Sequence, residues 1–227
     1  MKAIFGAALL LMLFTTACQE SRDLSRDSYD YRDHAEHEHG DAEFPPEFLD
    51  PFGCTRANTS QIRVVNEGNG KRERFLARCA RETGDSPWCA QLIRPNPQSV
   101  SVFRCTYGQN LAHQLIHPDE NTWGNAIRAV KIIQQLTQKG LRVCQIYNWW
   151  RPEPYNNNVG GAAGRHPFGT SVDVRFCSVD EANKGFSELC RMRKQGLLRA
   201  IGHYGSTGLH LGIADSVANT WGRSCPN

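Results

Sequence analysis

No apolar run in this chain approaches the roughly 20 residues that a bilayer-spanning helix needs. The longest, over residues 3–14, is too short, so the sequence predicts a mature protein that does not span a membrane. Glycine and proline, at 20 and 11 of 227 residues, are too scarce for a collagen, and a hydrophobic share of 40% is too high for a wholly disordered chain. The nine cysteines include no CxxC pair, which argues against a cysteine-ligated zinc site. Acids are scarce after residue 50: residues 51–227 hold 12 of them against 22 Lys and Arg, a net of +10.

What is present at the start reads as an export signal. Lys2, an apolar centre and the small residues before Cys18 have the layout of a secretory leader over 1–17. A cysteine directly after Thr15, Thr16 and Ala17 also resembles a bacterial lipobox, although Thr15 stands where that motif usually has Leu. On that reading Cys18 is lipidated and becomes the mature N-terminus; the alternative is plain cleavage beside an incidental cysteine. The protein is then expected in the bacterial periplasm or cell envelope, held to the membrane by its lipid alone. With Cys18 set aside, Cys54, Cys79, Cys89, Cys105, Cys144, Cys177, Cys190 and Cys225 remain. Even parity outside the cytoplasm predicts up to four disulfides, with the pairing left open.

Residues 19–50 carry eleven acids against three Arg and few aliphatic side chains, so 18–50 reads as an acidic, disordered tether. His34, His37 and His39 within it are weak metal binders or simply solvated groups. The basic remainder suits an anionic polymer, and an exported protein meets cell-wall material before nucleic acid. No nucleic-acid partner is expected, and the protein is expected to be a monomer. Residues 51–120, rich in Pro, Gly, Asn and Cys, read as a small Cys-rich lobe with one alternating stretch at 61–65 and a helix around 72–81. From residue 121 the pattern sharpens. Ala126, Ile127, Val130, Ile133 and Leu136 share a helical face before Gly140. Residues 141–147 read as a strand, and Ser178 with Glu181 marks a capped helix running to Gln195.

Polar residues fall on two further strands in a telling way. Val172, Val174 and Phe176 share one face by the two-residue period, leaving Ser171, Asp173 and Arg175 on the other. In 209–213 the same period sets Leu209, Leu211 and Ile213 opposite His210. If the two strands are neighbours, Asp173 and His210 meet, and His166 is close enough for its loop to fold over them. Two imidazoles and a carboxylate make the three-ligand set of a catalytic zinc; spacing alone is a weak signal, for which satisfied structural polar groups are the plainer reading.

The stretches WRPEPYNNNVGGA at 150–162 and HPFGTSVD at 166–173 resemble the zinc D-alanyl-D-alanine carboxypeptidase family of peptidoglycan peptidases. The family includes vancomycin-resistance dipeptidases and phage endolysins, and the resemblance covers roughly 120–223. It implies zinc bound by His166, Asp173 and His210, with Arg151 holding substrate and the oxyanion of the tetrahedral intermediate. The expected architecture of the 121–227 domain is α+β: a small antiparallel sheet with helices on one side and the zinc cleft on the other, stiffened by disulfides.

This sequence departs from the family pattern at three places. Thr207 stands where many members carry the acid that activates water, Gly212 stands where one branch has an acid, and Gly164 replaces a usual Ser. The nearest substitute base is His203, since neutral imidazole takes a proton near neutral pH, with Glu153 more distant. His113 and His117, spaced to share a helix face, lack an accompanying acid and read as structural. The implied activity is zinc-dependent hydrolysis of peptidoglycan stem peptides, as D-Ala carboxypeptidase or endopeptidase. The alternatives are a wall-binding lipoprotein that kept the metal and lost the base, and a purely structural exported protein.

Overall fold

The computed structural model describes residues 53–94, 100–108 and 113–226, all within one unit spanning Glu38–Asn227. The leader, Cys18, the acidic segment and its three histidines lie outside the described residues.

Helix α1 (Thr59–Asn69) occupies the stretch whose alternation at 61–65 suggested otherwise. The reason is local: the Asn58 side chain accepts from the Gln61 backbone N–H, and the Gln61 side chain accepts from that of Asn58, both at 2.9 Å. A reciprocal cap of this kind outweighs a five-residue alternation. Helix α2 (Arg72–Thr83) covers the helix expected around 72–81 and stops at Gly84, which takes the left-handed conformation at φ 66°. Short helices α3 (Trp88–Gln91) and α4 (Val100–Tyr107) follow. Helix α5 (Trp123–Gln138) buries the stripe from Ala126 to Leu136 and ends before Gly140. Strand β1 (Val143–Asn148), helix α6 (Tyr155–Asn158) and strand β2 (Ser171–Phe176) come next. Helix α7 (Val179–Lys194) starts where Ser178 Oγ accepts the Glu181 N–H at 3.2 Å. Strands β3 (Ala200–His203), β4 (Gly208–Gly212) and β5 (Thr220–Trp221) complete the chain. His113 and His117 share no helix: residues 113–118 are irregular.

The strands form one sheet in the order β1-β2-β4-β3-β5. Four of them pair antiparallel, but β5 runs parallel to β3, so the expected antiparallel sheet is mixed at one edge. Helices α5 and α7 pack on the apolar face carrying Val172, Val174, Phe176, Leu209 and Leu211. Asp173 pairs with Asn148 on one side and His210 on the other, and His210 pairs with Gly202. These residues form a row across the opposite face. The mixed helix-and-sheet class therefore holds, with α5 and α7 on the apolar face.

Among the described residues, those of 53–120 do not keep a core of their own. One apolar cluster runs from Val65, Phe75 and Phe103 through Trp123 and Ile133 to Val174, Phe186 and Leu211. Phe75 is its joint, edge-on to Trp123 at 5.4 Å and stacked on Trp149 at 5.0 Å. Gln91 of α3 accepts from the Ile146 N–H at 2.8 Å, covering part of the β1 edge.

All eight expected cysteines are bridged, as Cys54–Cys105, Cys79–Cys89, Cys144–Cys177 and Cys190–Cys225. A bridge stabilises mainly by restricting the unfolded chain, more so for longer loops. The 51-residue separation of Cys54–Cys105 corresponds to about 4 kcal/mol and the 10-residue separation of Cys79–Cys89 to about 2.7 kcal/mol. Replacing each pair by alanine and unfolding in urea should show the larger loss for the first pair. Indifference of both variants to the replacement would contradict the bridges as constraints.

Candidate metal centre

His166 lies in a single 3-10 turn, His166–Phe168, that Gly169 closes. Three neighbouring side-chain and backbone contacts hold this turn against the end of β1. Trp149 Nε1 donates to the Gly169 carbonyl at 3.2 Å, Trp150 Nε1 to that of Pro167 at 3.1 Å, and the Arg151 N–H to that of His166 at 3.3 Å. The Trp149 carbonyl accepts from His166 Nδ1 at 2.7 Å. A carbonyl can only accept, so the proton sits on Nδ1 and the Nε2 lone pair is left for another partner. That Nε2 is buried without a hydrogen bond, yet lies 3.1 Å from Asp173 Oδ2.

Asp173 and His210 complete the group from adjacent strands. His210 Nδ1 is 2.8 Å from Asp173 Oδ1, and its ring stands edge-on to that of His166 with centroids 5.1 Å apart. One donor atom from each of the three residues lies within 4.8 Å of the others, and all three residues are buried. Ligand atoms around a tetrahedral zinc with bonds near 2.0–2.1 Å are separated by about 3.3 Å. The close spacing and the orphaned Nε2 fit a metal ion. His166, Asp173 and His210 thus could hold one through Nε2, a carboxylate oxygen and Nδ1. Among the described residues no open cleft exposes them: Trp221 lies over His210 at 4.8 Å, and the Arg165 guanidinium covers Trp221 at 3.8 Å.

The electrostatics follow from burial opposed by pairing. Burial, reinforced by the Arg151 charge, pushes the His166 imidazole down to about 4, so it is neutral and its lone pair available. Burial acts to raise Asp173, but His166 and His210 outweigh it and hold the carboxyl well below its ordinary value. Burial likewise acts to lower His210, and hydrogen bonds to Asp173 and Asp215 reverse the sign and raise it. A metal at His210 Nδ1 takes the place of a proton there.

Three further residues join the centre that sequence reasoning did not single out. The Tyr204 hydroxyl donates to Asp173 Oδ1 at 3.0 Å, and the Asn148 amide donates to Oδ2 at 3.1 Å. Asp215 Oδ2 accepts from His210 Nε2 at 2.8 Å. The sign that would have found Asp215 is Gly212, for a Cβ there would come within 2.4 Å of that same oxygen. The site-facing position two residues past His210 is left without a side chain, and the acid folds back into the space.

Arg151 is buried beside the group, with Nη2 3.8 Å from Asp173 Oδ2. His203 is elsewhere. Its partner across the ladder is Leu209, so it shares the apolar face with α7 while His210 faces away. Its Nε2 donates to Asn183 Oδ1 at 3.1 Å, its Nδ1 accepts from the Gly205 N–H at 3.0 Å, and its ring abuts Phe186. Both nitrogens are engaged on the wrong side of the sheet, which removes His203 as the base for this centre. Glu153 is half-buried and accepts from the Asn157 N–H at 3.1 Å; burial raises its carboxyl above the ordinary range. His113 contacts Asn69, and His117 packs on Trp150.

Elemental analysis of the purified protein should find metal in the wild type and none in His166→Ala. His203→Ala should keep the wild-type stoichiometry while lowering the melting temperature, because the contacts it loses, to α7 and to the Gly205 N–H, involve none of the three ligands. Loss of metal in both variants would contradict the two-faced arrangement. No protein-family model, no curated protein and no solved structure matches this chain, so the reading of the centre rests on its own residues.

Proposed function

We propose that the protein is an exported zinc peptidase acting on peptidoglycan stem peptides, as a D-Ala carboxypeptidase or an endopeptidase. The observation that carries this reading is the convergence of His166, Asp173 and His210 on one point, with His166 Nε2 buried and unmatched. The resemblance of 150–162 and 166–173 to D-alanyl-D-alanine carboxypeptidases supplies the substrate class. Zinc at such a site provides Lewis acidity, polarising a carbonyl and lowering the pKa of a water towards about 7.

The chain's own groups supply the rest. Arg151, 3.8 Å from Asp173, offers a planar fork to a terminal carboxylate of the stem peptide or to the negative charge that develops on the scissile oxygen. Tyr204 is half-buried and brings a hydroxyl to the same carboxylate, orienting Asp173 from the side opposite His166. The net positive charge of 51–227 favours approach of anionic wall polymer. Lipidation at Cys18 would keep the enzyme beside its substrate, and Cys18→Ala should move it from the membrane to the soluble fraction of a cell lysate.

A second reading has its own support. Thr207 carries no acid, His203 faces α7, and the three donors are buried, whereas catalytic zinc sites keep one position open. These features favour a protein that binds metal and wall without turnover.

Incubating the zinc-loaded protein with defined muropeptides and weighing the products separates the two. Loss of D-alanine or of a cross-link, absent in His210→Ala, identifies a peptidase and its bond. Arg151→Lys should then reduce kcat/KM by about 10²–10³-fold, because an ammonium cannot reproduce the fork. Intact muropeptides retained by metal-loaded protein would sink the peptidase reading and leave the binding one.

A further inference from the structure

We infer that Asp215 is the positioning residue of the metal centre, the carboxylate that makes Nδ1 rather than Nε2 the ligand atom of His210. The inference rests on the reading of His166, Asp173 and His210 as metal ligands and goes beyond it, since Asp215 touches no ligand point itself.

An imidazole has two nitrogens, and a neutral ring offers a lone pair from only one of them. His210 stands between two carboxylates, with Nδ1 2.8 Å from Asp173 and Nε2 2.8 Å from Asp215. When one ring nitrogen gives up its proton to a metal, the other must keep its own, and a buried carboxylate acceptor decides which. Asp215 is completely buried, away from bulk solvent. Its other oxygen, Oδ1, accepts from Thr170 Oγ1 at 3.1 Å, and Arg165 Nε stands 3.6 Å from Oδ2. The carboxylate is therefore fixed in place as well as in charge. Space for it exists only because position 212 is glycine, where a Cβ would also come within 2.7 Å of the Ala200 methyl. His166 obeys the same rule by another means, with the Trp149 carbonyl in the role that Asp215 has for His210. Each histidine ligand thus has one nitrogen tied to an acceptor and the other aimed at Asp173.

The test is metal affinity, measured by competition with a chelator on the full chain, for wild type, Asp215→Ala and Asp215→Asn. Asp215→Ala should weaken binding by about 10–100-fold, the range for carboxylates behind a histidine ligand. Asp215→Asn keeps the shape and an acceptor oxygen but not the charge, so it should weaken binding by less and in the same direction. It also carries the test if the alanine variant fails to fold, which thermal melting would reveal. With cadmium in place of zinc and nitrogen-15 in the histidines, coupling should appear at His210 Nδ1 while Nε2 keeps its proton. A merely structural Asp215 would lower the melting temperature without moving affinity, and that outcome overturns the inference, as does coupling through Nε2. Absence of metal from the wild type would overturn the metal centre itself and this inference with it. Tight binding in the wild type that is unchanged in both variants defeats the inference alone.

Discussion

An ionised carboxylate taken out of water loses several kcal/mol of solvation unless charged and polar partners replace it, and Asp173 sits at the middle of the sheet under that constraint. Its oxygens are met by the His210 ring, the Tyr204 hydroxyl, the Asn148 amide and, at longer range, Arg151. Each partner comes from a different stretch of chain, so satisfying one side chain dictates how β1, β4, the turn after β3 and the loop after β1 must be arranged. The two register shifts between β1 and β2 belong to this arrangement, since the second of them precedes the pairing of Asn148 with Asp173.

Support for the centre extends outward through both packing and hydrogen bonds. The Trp149 carbonyl orients His166, and the Trp149 ring rests on Phe75 of α2. Farther along the same loop, the Tyr107 hydroxyl donates to the Glu153 carbonyl, and the Asn158 amide exchanges two hydrogen bonds with the Thr55 backbone, at 3.1 and 2.9 Å. The helices at 59–107 thus brace the segment that presents Arg151 and His166. That role explains why they share a core with the sheet instead of forming a separate lobe.

Much of this was legible in the sequence where a short-range period controls the outcome. The alternation in 170–176 and 209–213 sets Asp173 and His210 on the non-apolar face without knowledge of the rest, and Ser178 with Glu181 announces α7. Legibility ended where the deciding contact is remote or involves a missing side chain. Asp215 lies five residues past His210, an odd offset that would put it on the opposite face had the strand continued, and only the turn after Gly212 returns it. His203 sits in a Gly-His-Tyr-Gly run that resembles a loop, and its face follows from pairing with Leu209, a register no local pattern encodes. Helix α1 was readable through Asn58 and Gln61, but a five-residue alternation inside it competes with that signal. The parallel run of β5 depends on the 190–225 bridge and on Trp221 lying against Gly202, both of which are tertiary facts.

The bridges also have a mechanical meaning, should the chain be pulled from one end as an anchor at Cys18 would allow. Tension applied between the N-terminal side and the C-terminus runs along the shortest covalent path, which passes through sulfur wherever a bridge closes a loop. The Cys144–Cys177 bridge takes residues 145–176 out of that path, and Cys190–Cys225 takes out 191–224. Asn148, Arg151, His166 and Asp173 lie in the first slack loop; Tyr204, His210, Asp215 and Trp221 lie in the second. Every residue of the centre thereby lies off the covalently loaded path. A pull along the linking segments and the axis of α7 reaches the ligand constellation only through non-covalent contacts for as long as the sulfurs stay joined.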